Sequence, residues 1–308
     1  MTTMRVARPR REGSRSKAPL WLLSPAAIVI FALTVVPIGF LLFSSFTNYD
    51  QRSLFTGAFD FVGLDQYRRI FTDPDFWWST LLTVLFTAAM VAGSIAIGMA
   101  VAQLVSRVST VIRHAMTIVL ILAWAMPNVA SSLVWKWLFQ PGYGIVNWFL
   151  TQLHVFGDMT YVDWSASPGL AFVTIWLLIV WQAVPFIALT LYAAQTQIPP
   201  DYLEAARLDG AGEWRTYFSV VFQELKPSLL LLTVLSIIWD FNVFNQIWLL
   251  TQGGPDNATG TLGIWTYKAA FVSFNIGEGA AISVVTTIFL MIVTGFYIRN
   301  LVKSGEDL

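Results

Sequence analysis

The sequence predicts an all-α integral membrane protein with six transmembrane helices and both termini in the cytoplasm. The composition is the first observation behind this prediction, because 56% of the 308 residues are hydrophobic and only 12% are charged. Soluble domains carry about 25% charged residues, so this chain has too few charges to cover a soluble globule of its size. The other observations are six long apolar stretches and an uneven distribution of cations between the loops that connect them.

Six apolar stretches approach or exceed the roughly 20 residues that a helix needs to cross a bilayer. A buried helix of a soluble core is the alternative for any single stretch, but six such lengths in one chain favour membrane spans. The stretches are Leu20–Phe46, Trp78–Leu104, Ala115–Leu138, Gly169–Ala194, Ser228–Leu250 and Ala280–Ile298.

The first stretch follows a basic segment, as the core of a secretory signal peptide does. Its apolar run is longer than the roughly 7–15 residues of such a core, so we expect a retained helix behind a basic cytoplasmic tail at residues 1–19. The positive-inside rule then places the N-terminus inside, and an even number of spans brings the C-terminus to the same side. The cations predicted to lie inside are Arg5, Arg8, Arg10, Arg11, Arg15, Lys17, Arg107, Arg113, Arg207, Arg215, Lys226, Arg299 and Lys303.

The loop at residues 195–227 is predicted to lie in the cytoplasm and to form an elbow of two helices. It reads IPPDYLEAARLDGAGEWRTYFSVVFQELKPSL from Ile198 onward. Asp201 is placed to cap a short helix, and Gly210 breaks that helix before a second one begins near Glu213. An amphipathic helix lying on the membrane is the alternative. Such helices favour Lys and Arg, whereas five acidic residues outnumber three cations here, which favours a protein partner.

The residues available for chemistry exclude several classes of function. The chain has no Cys and only two His, His114 and His154, so disulfides, thiolate catalysis and Cys-based metal sites are excluded. No Gly-Lys pair occurs, and a P-loop for ATP requires one. A formal net charge of zero gives no indication of a nucleic-acid partner. We therefore predict no catalytic residue, no metal site and no cofactor in this chain.

Polar residues inside the predicted spans are costly in hydrocarbon and are therefore functional candidates. Asp240 is predicted near the middle of the fifth span, with Ser236 four residues earlier on the same face. Trp124 and Asn128 lie four residues apart in the third span, and Gln182 lies in the fourth. The alternative for each polar residue is an interhelical hydrogen bond. That alternative is favoured for Asn242, Asn245 and Gln246.

The elbow contains the run Glu204-Ala205-Ala206 followed by Asp209-Gly210-Ala211. This run resembles the EAA loop of bacterial ABC import permeases, a family in which the loop is the coupling helix that docks into a groove of the ATPase subunit. One departure is Phe222-Gln223, which stands where the family usually has Leu-Pro.

Two further segments resemble sugar permeases of the maltose and glycerol-phosphate type. They are FVGLDQYRRIFTDPDFW at Phe61–Trp77 and LLTQGGPDNATGTLGIWTYKAAF at Leu249–Phe271. Within that group the sequence looks most like the first permease subunit of mycobacterial trehalose importers. The resemblance covers nearly the whole chain and implies the ABC type I importer permease fold for residues 20–308, in the plasma membrane.

The resemblance also implies partners and a substrate. The partners are a second permease subunit, two copies of an ATP-binding subunit that holds ATP and Mg, an extracytoplasmic sugar-binding (lipo)protein, and membrane lipid. The implied substrate is a sugar, with trehalose as the first expectation. The implied substrate contacts are Trp124, Asn128, Gln182, Ala183, Ser236, Asp240 and Val243. Val243 departs from the family's pattern, which has an amide at this place.

Three alternatives remain open from the sequence. A permease of the same family could carry another oligosaccharide or a glycerol-phosphate-like substrate. An ion-coupled secondary transporter would explain Asp240 as a coupling carboxylate, but it would leave the acidic elbow without a role. A membrane-embedded enzyme would need a catalytic constellation that the chain lacks.

Overall fold

The computed structural model describes residues 18–303, and over this range the chain forms helices and no β-strand. Two isolated backbone bridges join Thr47 to Phe61 and Asp50 to Asn275. Most of the predicted basic tail, from Arg5 to Lys17, lies outside the described residues, as does the side chain of Lys303.

Thirteen helices follow one another along the described part of the chain. In chain order they are α1 (Trp21–Ser44), α2 (Gln51–Thr56), α3 (Asp65–Thr72), α4 (Pro74–Arg107), α5 (Thr110–Trp124), α6 (Asn128–Leu138), α7 (Ile145–Gln152), α8 (Pro168–Gln195), α9 (Pro200–Leu208), α10 (Glu213–Phe241), α11 (Asn245–Thr251), α12 (Leu262–Tyr267, continued by a π-helical turn at Lys268–Val272) and α13 (Ile276–Lys303). Within this range five helices, α1, α4, α8, α10 and α13, are long and apolar enough to cross a membrane, and α5 with α6 forms a sixth crossing if the bent pair is one span.

The predicted third span, Ala115–Leu138, is wrong as a continuous helix. The axes of α5 and α6 meet at 99°, a far larger change than a kink. Pro127 lacks the N–H that would continue α5 and disfavours helix in the preceding residue, so α5 ends before it. Pro127 itself is extended, with φ −61° and ψ 138°, and is the N-cap of α6. Its carbonyl oxygen accepts from Ser131 N, so a new helix begins at Asn128.

The predicted fifth span, Ser228–Leu250, is also wrong in its bounds. The helix α10 begins at Glu213, continues through Pro227 and ends at Phe241, and α11 follows as a separate helix. Pro227 removes one backbone hydrogen bond, which a membrane helix tolerates when its neighbours satisfy the freed carbonyl. Asp240 therefore lies one residue from the end of α10 rather than in the middle of a span.

The centre of the molecule is the contact between α4 and α8. Gly98 of α4 lies against Ile187 of α8, and a side chain in place of Gly98 would overlap it. Trp176 Nε1 of α8 donates to the carbonyl oxygen of Ala89 at 2.9 Å. By contrast, no residue in the most apolar window of α1 is buried by the rest of the described chain. The surface of this window of α1 is therefore exposed and can contact lipid or another protein.

The elbow lies at the C-terminal ends of α4 and α8, and we call the opposite side of the molecule the distal side. The predicted break at Gly210 is confirmed, since this residue has φ +78° between α9 and α10. The prediction that Asp201 caps α9 is wrong, because the helix already begins at Pro200 and its N-cap is Pro199. Proline is favoured at the first helical position, where its missing N–H is not needed.

Candidate functional site

Three amide side chains from three helices form a chain of hydrogen bonds. Gln182 Nε2 of α8 donates to Asn128 Oδ1 of α6 at 3.2 Å, and Gln246 Nε2 of α11 donates to Gln182 Oε1 at 3.0 Å. Asn128 and Gln246 both occupy the first turn of a helix that restarts after a break. The two breaks in the predicted spans therefore place polar groups opposite Gln182. We call Asn128, Gln182 and Gln246 the amide chain.

Three aromatic rings lie in a row beside the amide chain, one each on α5, α8 and α10. Trp124 stacks on Phe186 with ring centroids 5.8 Å apart and an interplanar angle of 20°. Phe186 in turn meets Trp239 at 5.5 Å. Phe186 follows Gln182 by four residues on α8, so the two side chains share one face of the helix. Trp124 and Trp239 are 54% and 51% exposed, so both rings are available to a ligand.

The predicted contacts Ser236 and Asp240 lie apart from this surface. Both are buried, and they lie four and eight residues after Leu232 of α10, which belongs to the same buried cluster as Ile187 of α8. Asp240 Oδ2 has no hydrogen-bond partner in the described part of the chain. Burying a carboxyl group without a partner costs several kcal/mol, so this position demands either a partner or a function.

The remaining predicted contacts contribute apolar surface. Ala183 is half-buried and packs against the cluster formed by α4, α8 and α10. Val243 is half-buried in the short segment between α10 and α11, where it packs against the cluster that includes Phe86 and Met90. Val243 carries no polar side-chain atom that could replace the amide expected at this place.

The sequence analysis did not assign Gln246 of the amide chain to the sugar site, and it did not identify Phe186 and Trp239 of the aromatic row. Gln246 was expected to make an interhelical hydrogen bond, and it does so with Gln182. Asn242 bonds the carbonyl oxygen of Ile238 on its own helix at 2.8 Å. The spacing of Gln182 and Phe186 was a signal for the aromatic row, whereas nothing in the sequence marks the break between α10 and α11.

The elbow offers a second surface. No residue of α9 is buried, and Tyr202 and Leu208 are 51% and 88% exposed. After this helix Gly210 N donates to Arg207 O, and Ala211 N donates to Ala206 O at 3.0 Å, which is a glycine-terminated helix end. Of the predicted elbow residues, the exposed ones are Glu204, Ala205, Asp209 and Gly210, while Ala206 and Ala211 are half-buried.

Glu213 links the elbow to the end of a span. Its Oε2 lies 2.8 Å from Arg107 Nη2 of α4, and its Oε1 lies 3.8 Å from Arg207 Nη2 of α9. All three side chains are more than half exposed, so these ion pairs orient the elbow more than they stabilise it. Among residues 18–303 no group of three or more acidic, His or Cys side chains is arranged to hold a metal ion.

Comparison with known proteins assigns the family. Residues 94–304 match the family profile described as "Binding-protein-dependent transport system inner membrane component". The "Diacetylchitobiose uptake system permease protein DasB" of Streptomyces coelicolor is 39% identical over 294 residues, covering 94% of this chain and 88% of that protein. The "Trehalose transport system permease protein SugA" of Mycobacterium tuberculosis is 30% identical over 278 residues, covering 89% of this chain and 86% of that protein.

The prediction that the sequence is most like a trehalose importer permease is wrong, because the Streptomyces protein is more similar. A solved structure shares the fold: a chain of a bacterial alginate ABC transporter, crystallised with an alginate pentasaccharide-bound periplasmic protein, superposes with a TM-score of 0.80 at 17% identity. The match covers 94% of this chain and 96% of that chain. The expected all-helical permease fold is thereby confirmed.

Proposed function

Because the chain belongs to the family of binding-protein-dependent transport system inner membrane components, we propose that it is a channel-forming subunit of an ABC importer for a sugar. It is a transport subunit rather than an enzyme, as its relatives are. The proposed cargo is a disaccharide, which moves into the cytoplasm through the plasma membrane.

The observation that carries the proposal is the amide chain beside the aromatic row. A sugar presents hydroxyl groups around its rim and C–H groups on its faces, so it is bound by amides together with aromatic rings. Gln182 and Phe186 lie one turn apart on α8 and so offer both kinds of contact from one helix face.

We propose that the sugar contacts divide into two groups. Trp124, Asn128, Gln182 and Ala183 form the surface that is accessible in this conformation. Ser236 and Asp240 are buried and reach the sugar only when α10 moves, and Val243 lies at the joint where α10 ends. Broken helices beside a binding site are suited to such movement, because the break absorbs the change in backbone angles.

The substrate identity is proposed at the level of a disaccharide. Trehalose follows from the resemblance that the sequence shows, and diacetylchitobiose follows from the more similar Streptomyces relative. Both carry two pyranose rings and no charge. An ion-coupled secondary transporter, in which Asp240 takes up a proton, is the competing function.

The proposed partners follow from the family and the elbow. We propose a second permease, two copies of an ATP-binding subunit that holds ATP and Mg, and an extracytoplasmic sugar-binding (lipo)protein. Glu204, Ala205, Ala206, Asp209, Gly210 and Ala211 would contact the ATP-binding subunit. This places the elbow and both termini in the cytoplasm, and it makes the distal side the outer side.

The test is ATP hydrolysis by the complete importer in liposomes, measured with the binding protein and a panel of sugars. The panel contains trehalose, diacetylchitobiose, maltose and glycerol 3-phosphate. The proposal expects hydrolysis to be stimulated by at least one disaccharide and not by glycerol 3-phosphate. Stimulation by glycerol 3-phosphate alone would overturn the assignment to a sugar.

A further inference from the structure

A cavity lies on the distal side, away from the amide chain. It has a volume of about 150 Å³ and is bordered by the C-terminal ends of α6 and α11, the N-terminal part of α8, and the segment after α7. Residues that line it include Lys136, Gln140, Asp163, Trp164, Thr174 and Thr251. None of these residues has a role in the function proposed above.

The aromatic wall of this cavity is held in place. Trp164 Nε1 donates to Asn147 Oδ1 at 2.6 Å, and Asn147 is itself buried and donates to Val162 O at 3.0 Å. The ring of Phe139 meets the Trp164 ring edge-on at 5.0 Å. A ring fixed in this way loses little conformational entropy when a ligand packs against it.

Two opposite charges line the same cavity without pairing. In the described part of the chain Lys136 makes no ion pair. Asp163 Oδ1 accepts from the backbone N and the hydroxyl of Ser165, at 2.8 Å and 2.6 Å, which leaves Oδ2 for another donor. A neutral ligand with several hydroxyl groups can donate to the carboxylate and accept from the ammonium group at once, without adding charge.

The volume of the cavity is suited to a single ring. A cavity of this volume in another protein holds benzene, a single six-membered ring.

The distance from the cavity to the amide chain is the same along α6 and along α8. Lys136 lies eight residues beyond Asn128 on α6, and Thr174 lies eight residues before Gln182 on α8. At 1.5 Å per residue each path gives about 12 Å between the two sites.

We propose that this cavity is a subsite for one pyranose ring of the transported sugar, on the path from the outer side to the amide chain. The inference rests on the proposed function, which makes the distal side the outer side. Trp164 packs against the ring, Asp163 and Lys136 bond its hydroxyl groups, and the sugar then advances about 12 Å along α6 and α8 to the amide chain.

The test uses the absence of Cys from the chain, because a single introduced thiol is then the only one it carries. Gln140→Cys places the thiol in the cavity wall, just after α6, and Ala166→Cys places it beside the wall residue Ser165, on the segment between α7 and α8, but outside the cavity. The complete importer in liposomes is labelled with a membrane-impermeant maleimide, with and without trehalose or diacetylchitobiose, before the binding protein is added. At twice the Kd, the sugar should slow labelling of Gln140→Cys about threefold, since the free fraction is one part in three.

The proposal expects protection of Gln140→Cys, none of Ala166→Cys, and loss of protection when Asp163→Asn is added to Gln140→Cys. Equal protection of both thiols would show a general closure and overturn the subsite. Unprotected Gln140→Cys in an importer that still takes up the sugar would overturn the subsite and leave the proposed function standing. Failure of the unsubstituted importer, with the binding protein present, to take up any sugar would overturn the proposed function as well.

Discussion

Gln182 is the side chain that joins the candidate site together. It donates to Asn128 and accepts from Gln246, so a single residue of α8 holds the first turns of α6 and α11. We expect Gln182→Leu to lower sugar uptake by about tenfold, because losing one hydrogen bond of about 1.4 kcal/mol weakens the contact with the sugar. The measurement is the initial rate of uptake into liposomes that contain the complete importer.

The control for this variant is Gln152→Leu. Gln152 is the last residue of α7, is exposed, and has no hydrogen bond from its side chain in the described structure. It should transport at the rate of the unmodified importer. Equal uptake by Gln182→Leu and Gln152→Leu would remove the amide chain from the sugar path.

Replacing Asp240 is expected to change stability and sugar uptake in opposite directions. Its buried carboxyl has no partner at Oδ2, so Asp240→Leu should raise the free energy of unfolding of the subunit by about 1–3 kcal/mol. The same variant should abolish uptake while assembly with the ATP-binding subunit remains normal. Thermal unfolding and uptake are measured on one preparation, and unchanged uptake would exclude Asp240 from the sugar site.

At the scale of the element, Gly210 and Gly212 provide a matched pair. Gly210 has φ +78°, whereas Gly212 has φ −70°, and no other atom lies within 4 Å of the Cβ that either would gain. Gly210→Val should therefore strain the elbow by about 1–2 kcal/mol or more, since a side chain disfavours left-handed backbone. Gly212→Val should be tolerated by the backbone.

The expected consequence is loss of coupling in Gly210→Val alone. Its complex should show little stimulation of ATP hydrolysis by the sugar-loaded binding protein, while the binding protein still binds sugar. Gly210→Asn should restore part of the stimulation, because Asn tolerates left-handed angles. Full stimulation in Gly210→Val would mean that the elbow is not the coupling element.

The sequence predicts the long apolar helices better than it predicts the breaks between helices. Hydropathy predicts the positions of α1, α4, α8 and α13, because hydrocarbon requires long apolar runs. The break before α6 has a visible cause in Pro127, although the size of the bend does not follow from one residue. The break after Phe241 has no Gly or Pro to mark it, so it comes from packing that local sequence does not reveal.

The sequence predicts which residues belong to the candidate site better than it predicts how they are arranged. Trp124, Asn128 and Gln182 do meet on one surface. Asp240 was expected beside them as a polar residue inside a span and from the family resemblance, yet it is buried, whereas its neighbour Trp239 on α10 is exposed. Sequence spacing alone does not tell which face of a span is covered by its neighbours.

At the scale of the whole molecule, the chain presents surfaces that it does not cover itself. No residue in the most apolar window of α1 is buried by the described chain, and α9 has no buried residue. We propose that the first surface contacts the bilayer or a second permease and that the second contacts an ATP-binding subunit. The absence of a Gly-Lys pair means that the sequence contains no P-loop for binding ATP. We therefore expect that the chain alone neither binds ATP nor transports sugar.

The most direct test of this account is disaccharide uptake into liposomes from which the components are omitted one at a time. The complete set contains this chain, a second permease, the ATP-binding subunit, the sugar-binding protein and internal ATP with Mg. The account predicts that uptake falls to background whenever any one component is missing. Uptake by this chain alone, independent of ATP and abolished by a proton ionophore, would contradict it and identify an ion-coupled transporter.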